Sequence, residues 1–215
     1  MTRNFVTICF LLLFSIGIRA QGSDARAKAL LDKASVAMTQ SGGVDATFTM
    51  ENLDGRGVSS QAGQCRLRYK GTKFCFTSAP MQMWCDGKTL WNYVVQNREI
   101  YVNDASAGDE DVWHPAILFR LYKRGYSCKL VEEKGGSATI KMTPPAGSKD
   151  NIASITLSIN TASNMPRSIR IAYSNTNGQD TRLTLASFKS HQTFDDKLFV
   201  CTPSQFKDVE VVDMR

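Results

Sequence analysis

Histidine is scarce in this sequence, with two in 215 residues, His114 and His191. The shortage narrows the field for acid–base and metal chemistry, where imidazole is the commonest participant. No cysteine pair has the spacing of a redox dithiol or a zinc site. GxSxG, HExxH, P-loop and Rossmann glycine patterns are all missing. Asp109-Glu110-Asp111 reads as the charge cluster of a helix start, and Asp195-Asp196 as a loop, so neither suggests a metal. Basic residues are not massed either. Arg66, Arg68, Lys70 and Lys73 alternate with apolar residues, as the wet side of a strand pair does. Nucleic-acid binding asks for a denser basic face with stacking aromatics. No repeat at a period of roughly 20 to 50 residues is present, and no low-complexity linker divides the chain. These absences lead to the expectation of one domain, no catalysis, no cofactor, no metal and no nucleic-acid partner.

The one long apolar run lies at the start. Arg3 precedes the uncharged stretch Phe5 to Ile18, and Ala20 supplies a small residue before Gln21. That is the pattern of a secretory leader cleaved near Ala20. The run is short for a membrane anchor, which takes about 20 apolar residues. The expected division is a leader at residues 1–20 and a single domain at 21–215. No cysteine follows the cut, so the pattern provides no lipid anchor. Loss of Arg3 and Arg19 would lower the formal net charge from +6 to +4. Of six cysteines, Cys65, Cys75, Cys85, Cys128 and Cys201 would remain. An exported chain can hold disulfides, but an odd number leaves at least one thiol over. Most of the five sit inside apolar strand patterns and read as small buried hydrophobes.

Ser23 to Gln40 carries Ala27, Leu30, Leu31, Ala34, Ala37 and Met38 at helical spacing, with Ser23 as its cap and Gly42-Gly43 as its stop. The period then changes to two. Val44, Ala46, Phe48 and Met50 alternate with polar residues. Cys65, Leu67 and Tyr69 do the same before the turn at Gly71, so a hairpin would set Tyr69 against Phe74 and Leu67 against Phe76. Met81, Met83 and Cys85 lead through Asp86-Gly87 into Leu90 to Val95 and Glu99 to Val102. The stretch Asp109 to Arg124 breaks this rhythm and reads as a helix with Ile117, Leu118, Leu121 and Tyr122 on one stripe. Further strands are predicted at 126–133, 138–143, 152–160, 166–174 and 181–190, and the tail 209–212 closes the chain. The sum is a mainly β, α+β protein: one antiparallel sheet of about ten strands with two helices.

A curved sheet of that size has a concave face to cover. The side chains predicted to face inward are rich in aromatics and methionine: Phe48, Met50, Leu67, Tyr69, Phe74, Phe76, Met81, Met83, Trp91 and Tyr93. Such residues recur where varied greasy ligands are received. A filled core satisfies the same pattern, and periodicity does not separate the two.

At Asp86-Gly87-Lys88-Thr89-Leu90-Trp91-Asn92-Tyr93 the sequence resembles the periplasmic outer-membrane lipoprotein carriers of the LolA family. Other pieces follow in that family's order: Leu30-Leu31, Ala46-Thr47-Phe48, Gly63, Leu67, Phe74, Ala79-Pro80, Pro115 with Leu118, Thr143-Pro144, Ile155 to Ile159, Phe199, Thr202-Pro203 and Val209 to Asp213. The resemblance implies an incomplete, strongly curved β-barrel whose helices form a lid over an apolar cavity. It implies a monomeric periplasmic carrier that binds the acyl chains of lipoproteins. Such a carrier takes them from an inner-membrane ABC-type release complex and passes them to an outer-membrane acceptor. The ten inward-facing residues would then line the cavity, with Ile117, Leu118, Leu121 and Tyr122 on the lid. One departure stands out. Where the family often has an Arg-Pro pair whose arginine holds the lid, this chain reads Arg68-Tyr69-Lys70-Gly71-Thr72, leaving Arg68 or Lys70 as substitutes. Two rival readings go with the fold. One is a lipid-binding or envelope-stress-sensing module that does not hand cargo on. The other is a lipid hydrolase built on Ser78 or His191.

Overall fold

The computed structural model describes residues 17–105, 121–148, 151–174 and 180–215. Helix α1 (Gly17–Gln40) begins upstream of the expected start, so Ser23 and Asp24 lie within it and not at its cap. Of the expected stripe, Ala27, Leu30, Leu31, Ala34 and Met38 are buried and Ala37 is partly exposed. At its end the Ser41 hydroxyl donates to the Ala37 carbonyl, and Gly42 takes the left-handed conformation (φ +64°) that stops a helix. No helix among the described residues is long and apolar enough to cross a membrane.

Twelve strands form one sheet: β1 (Val44–Leu53), β2 (Ser59–Lys70), β3 (Lys73–Thr77), β4 (Met81–Cys85), β5 (Thr89–Val94), β6 (Glu99–Asp104), β7 (Ser127–Lys134), β8 (Ser137–Thr143), β9 (Ile152–Asn160), β10 (Pro166–Tyr173), β11 (Asp180–Lys189) and β12 (Glu210–Asp213). Their spatial order is β12-β6-β5-β4-β3-β2-β1-β11-β10-β9-β8-β7. The register is as the alternation requires, with Leu67 opposite Phe76 and Tyr69 opposite Phe74. Two details differ from the expected sheet. The described residues form twelve strands, and β12 runs parallel to β6. The parallel edge arises because the chain does not turn back after β11 as a hairpin.

The sheet is open and curved, and residues of well-separated strands contribute to one core. Met83 of β4 and Met142 of β8 belong to one buried cluster with Leu30, Leu31 and Leu121. That cluster lies on the concave side. On the convex side, the segment after β11 runs back under the sheet. The backbone N–H groups of His191 and Gln192 donate to the carbonyls of Ser41 and Gly43. Gly43 is required there, because a Cβ would sit 1.9 Å from the Gln192 carbonyl oxygen. Lys73 of β3 pairs with Asp196 at 2.7 Å, and Phe199 is fully buried against Phe194. Cys201, Phe206 and Val209 then pack with Ile100 and Val102 in a second cluster. Of the segment Asp109 to Arg124, read from the sequence as a helix, only Leu121–Arg124 lies among the described residues, as a 3-10 turn. Ile117, Leu118, His114 and Asp109 to Asp111 fall outside them.

Candidate functional site

The structure sorts the ten predicted cavity residues into three groups. Leu67, Tyr69, Phe74, Phe76 and Met83 are buried in the concave cluster. Phe48, Met50 and Met81 pack against that cluster but keep part of their surface exposed. Trp91 and Tyr93, expected in the cavity, lie instead on the convex side, where the Phe206 ring tilts against Tyr93 at 4.7 Å and meets Trp84 edge-on at 5.9 Å. The reason is register. Cys85 pairs with Leu90 and Met83 with Asn92, so the concave row of β5 is Leu90, Asn92 and Val94. Counting from Trp91 puts every side chain on the other face.

The Asp86–Tyr93 stretch is thereby explained. The Asp86 carboxylate accepts from the backbone N–H groups of Lys88 and Thr89 at 2.8 and 2.7 Å, and Gly87 supplies φ +92°. The stretch builds the hairpin and anchors the convex segment; its one buried concave side chain is Leu90.

Phe48 sits at a β-bulge, where the register between β1 and β11 shifts between Thr47 and Phe48. Bulges re-aim side chains and gather beside functional sites. Phe48 then pairs with Leu185 and Met50 with Leu183. Leu183 and Leu185 extend the same greasy patch and were not predicted for it, although their alternation within 181–190 carries the signal. Beyond Met50 the concave face opens into a cavity of about 440 Å³, lined by Met50, Asn52, Ala62, Gly63, Gln64, Ala79, Pro80, Val95 and Gln96. No charged side chain is among them. Of the ten predicted residues, Met50 alone reaches it.

Side-chain tethers fix α1 on this face. The Tyr69 hydroxyl donates to the Met38 carbonyl at 3.0 Å, and burial pushes its pKa well up, so it stays protonated. Arg26 grips Glu133 of β7 through two hydrogen bonds, at 2.6 and 3.1 Å. Leu121 is buried in the cluster, and the Tyr122 hydroxyl donates to the Asp32 carboxylate of α1. Arg68 is on the other side of the sheet. It alternates with Leu67 and Tyr69, and its Nη2 lies 3.7 Å from the Cys75 sulfur.

Chemical candidates are few. Cys65, Cys75, Cys85, Cys128 and Cys201 are all buried and unbridged. Burial pushes the Cys65, Cys128 and Cys201 thiols up to about 11, which keeps them protonated and poor nucleophiles. The Ser78 hydroxyl donates to the Met81 carbonyl at 2.9 Å and so serves its turn. His191 is exposed beside the Gly42-Gly43 stop. No group of three His, Cys, Asp or Glu side chains suited to a metal occurs among the described residues.

The chain is similar to several solved structures. A conserved protein from Thermus thermophilus is 16% identical, with a TM-score of 0.54, over 87% of this chain and 99% of that one. A LolA superfamily protein from Nitrosomonas europaea is 11% identical over 81% and 97% of the two chains, with a TM-score of 0.46. The lipoprotein LppX of Mycobacterium tuberculosis is 14% identical over 80% and 100%, with a TM-score of 0.43. At such identities the likeness is one of fold. No curated protein matches the chain. The sequence model of the outer membrane lipoprotein carrier protein LolA family matches residues 16–175, and by that match, covering most of its length, this chain belongs to the LolA family.

Proposed function

We propose that this protein is a periplasmic carrier that holds the acyl chains of lipoproteins against the concave face and moves them from the inner to the outer membrane. The observation that carries the reading is the patch of Phe48, Met50, Met81 and Leu185, partly exposed over an otherwise buried apolar floor and opening into a cavity with no charged side chain among its described lining residues. Each acyl methylene moved from water onto such a surface gains about 0.8 kcal/mol. Several long chains would therefore hold a lipoprotein in its membrane or aggregate it unless a protein covers them. Phe48, Met50 and Met81 touch the chains in this reading. Leu67, Tyr69, Phe74, Phe76 and Met83 form the floor beneath them. An inner-membrane ABC-type complex supplies the cargo and an outer-membrane acceptor removes it. Membership of the family supports this assignment, and the leader pattern at residues 1–20 supports the compartment.

The test is cargo capture. Wild-type protein isolated from the exporting cell should copurify with acylated polypeptides, identified by mass spectrometry. Phe48→Glu, at a partly exposed position, should fold normally and lose them. A folded Phe48→Glu protein that still carries lipoprotein would remove the concave patch from the mechanism. Retained cargo that no outer-membrane acceptor takes up would turn the carrier into a binding module.

A further inference from the structure

Strand β2 outruns its neighbour. Its pairing with β3 stops at Arg66 opposite Thr77, while on the other side it stays bonded to β1 as far as Ser59 opposite Leu53. Among the described residues, the edge of Ala62, Gly63 and Gln64 that faces away from β1 has no backbone partner. Proteins commonly blunt an open edge with charge or proline. This stretch carries neither.

Gly63 adds a second observation. It follows the row of Cys65, Leu67 and Tyr69 on the concave side and pairs with Met50. A Cβ at Gly63 would meet nothing within 4 Å, so no neighbour demands a glycine there. A glycine inside a strand weakens it, and it often marks a place where a ligand or another backbone comes close. The open space is the 440 Å³ cavity itself, whose polar lining groups are the neutral amides of Asn52, Gln64 and Gln96. Neutral amides suit the amide and ester groups of a polypeptide–lipid junction. Among the described lining residues an anionic headgroup would meet no cation.

We propose that this notch receives the polypeptide that follows the lipid-modified residue of the cargo. The peptide lies extended and adds a strand to the open edge of β2 at Ala62–Gln64, while the acyl chains run across Met50. Main-chain pairing of this kind reads shape and not side chains, which suits a carrier of many different polypeptides. The inference rests on the carrier reading above.

Two synthetic probes separate them: a triacylated cysteine as its simple amide, and the same group extended by a short uncharged peptide. The peptide probe should bind wild-type protein roughly tenfold more tightly, and it alone should slow hydrogen exchange at the 62–64 amides. Gly63→Leu, which fills the notch, should bring the peptide probe down to the affinity of the amide and leave the amide unchanged. Equal affinity for both probes without protection of 62–64 overturns the inference and leaves the carrier reading standing. So does an equal loss of both probes in Gly63→Leu, which would give the notch to acyl chains. Binding of neither probe overturns the carrier reading and the inference with it. Should Gly63→Leu not fold, the exchange measurement on wild-type protein decides.

Discussion

The two halves of the concave face are packed by different rules. Across β8 and β9, Ala138, Ile140, Met142, Ile155, Leu157 and Ile159 are all 0% exposed. Across β1, β4 and β11, Phe48, Met50, Met81 and Leu185 remain partly exposed. The first half is dominated by branched aliphatics, which stand stiffly on a pleated surface and interlock. The second uses Phe and Met, and methionine adapts to irregular and changing neighbours. One sheet thus supplies a rigid wall and a compliant one. The difference teaches where a guest belongs: on the side whose side chains give up least packing when it leaves.

Stability should divide along that line, and this is the largest expected effect. Leu157→Ala should cost about 2–5 kcal/mol, since its cavity has no room to collapse. Met50→Ala, at a partly exposed site, should cost under about 1.5 kcal/mol. Urea denaturation of the two variants measures both. If Met50→Ala proves as costly as Leu157→Ala, the patch is a closed core and the comparison collapses.

Motion offers a sharper cut. Cys65 stands on the compliant half, opposite Phe48, and Cys128 on β7, beside the rigid one. Their exposures are nearly equal, 2% and 4%, and burial raises both thiols to about 11. Any difference in alkylation rate therefore reports local opening and not static access. Cys65 should label several-fold faster in the empty protein, and an acylated probe should slow it to the rate of Cys128. Equal rates in the empty protein would show that both halves open together.

How much of this was legible beforehand follows from what a period of two can encode. The hairpin pairing of Leu67 with Phe76 and of Tyr69 with Phe74 was readable, because short turns leave one register that buries both rows. The faces of Trp91 and Tyr93 were not, since in β5 each row holds one polar and two apolar residues and alternation loses its sign. Both faces of that strand are in fact covered, one by the concave cluster and one by Phe206. The parallel pairing of β12 was hidden for a related reason. Nothing in Glu210-Val211-Val212-Asp213 states which strand it will meet after a long crossover. The notch at Gly63 was hidden as well, because an empty volume belongs to no residue.

The smallest effect concerns the convex side of the compliant half. Asp45 of β1 is gripped by the guanidinium of Arg66 on β2, and that hydrogen bond holds its carboxyl below the ordinary range. A depressed folded value means that the contribution to stability is present above the unfolded pKa of about 3.9 and disappears as pH falls through the folded one. Arg66 is 50% exposed, so the pair is worth no more than about 1 kcal/mol. Asp45→Asn should lower stability by less than that at pH 7, and the gap to wild type should close below about pH 4. Acyl binding should be untouched, because the pair lies behind the sheet from Phe48 and Met50. A loss of acylated-probe affinity in Asp45→Asn would mean that strain on the convex side of β1 reaches the patch, and the two faces could no longer be treated as independent.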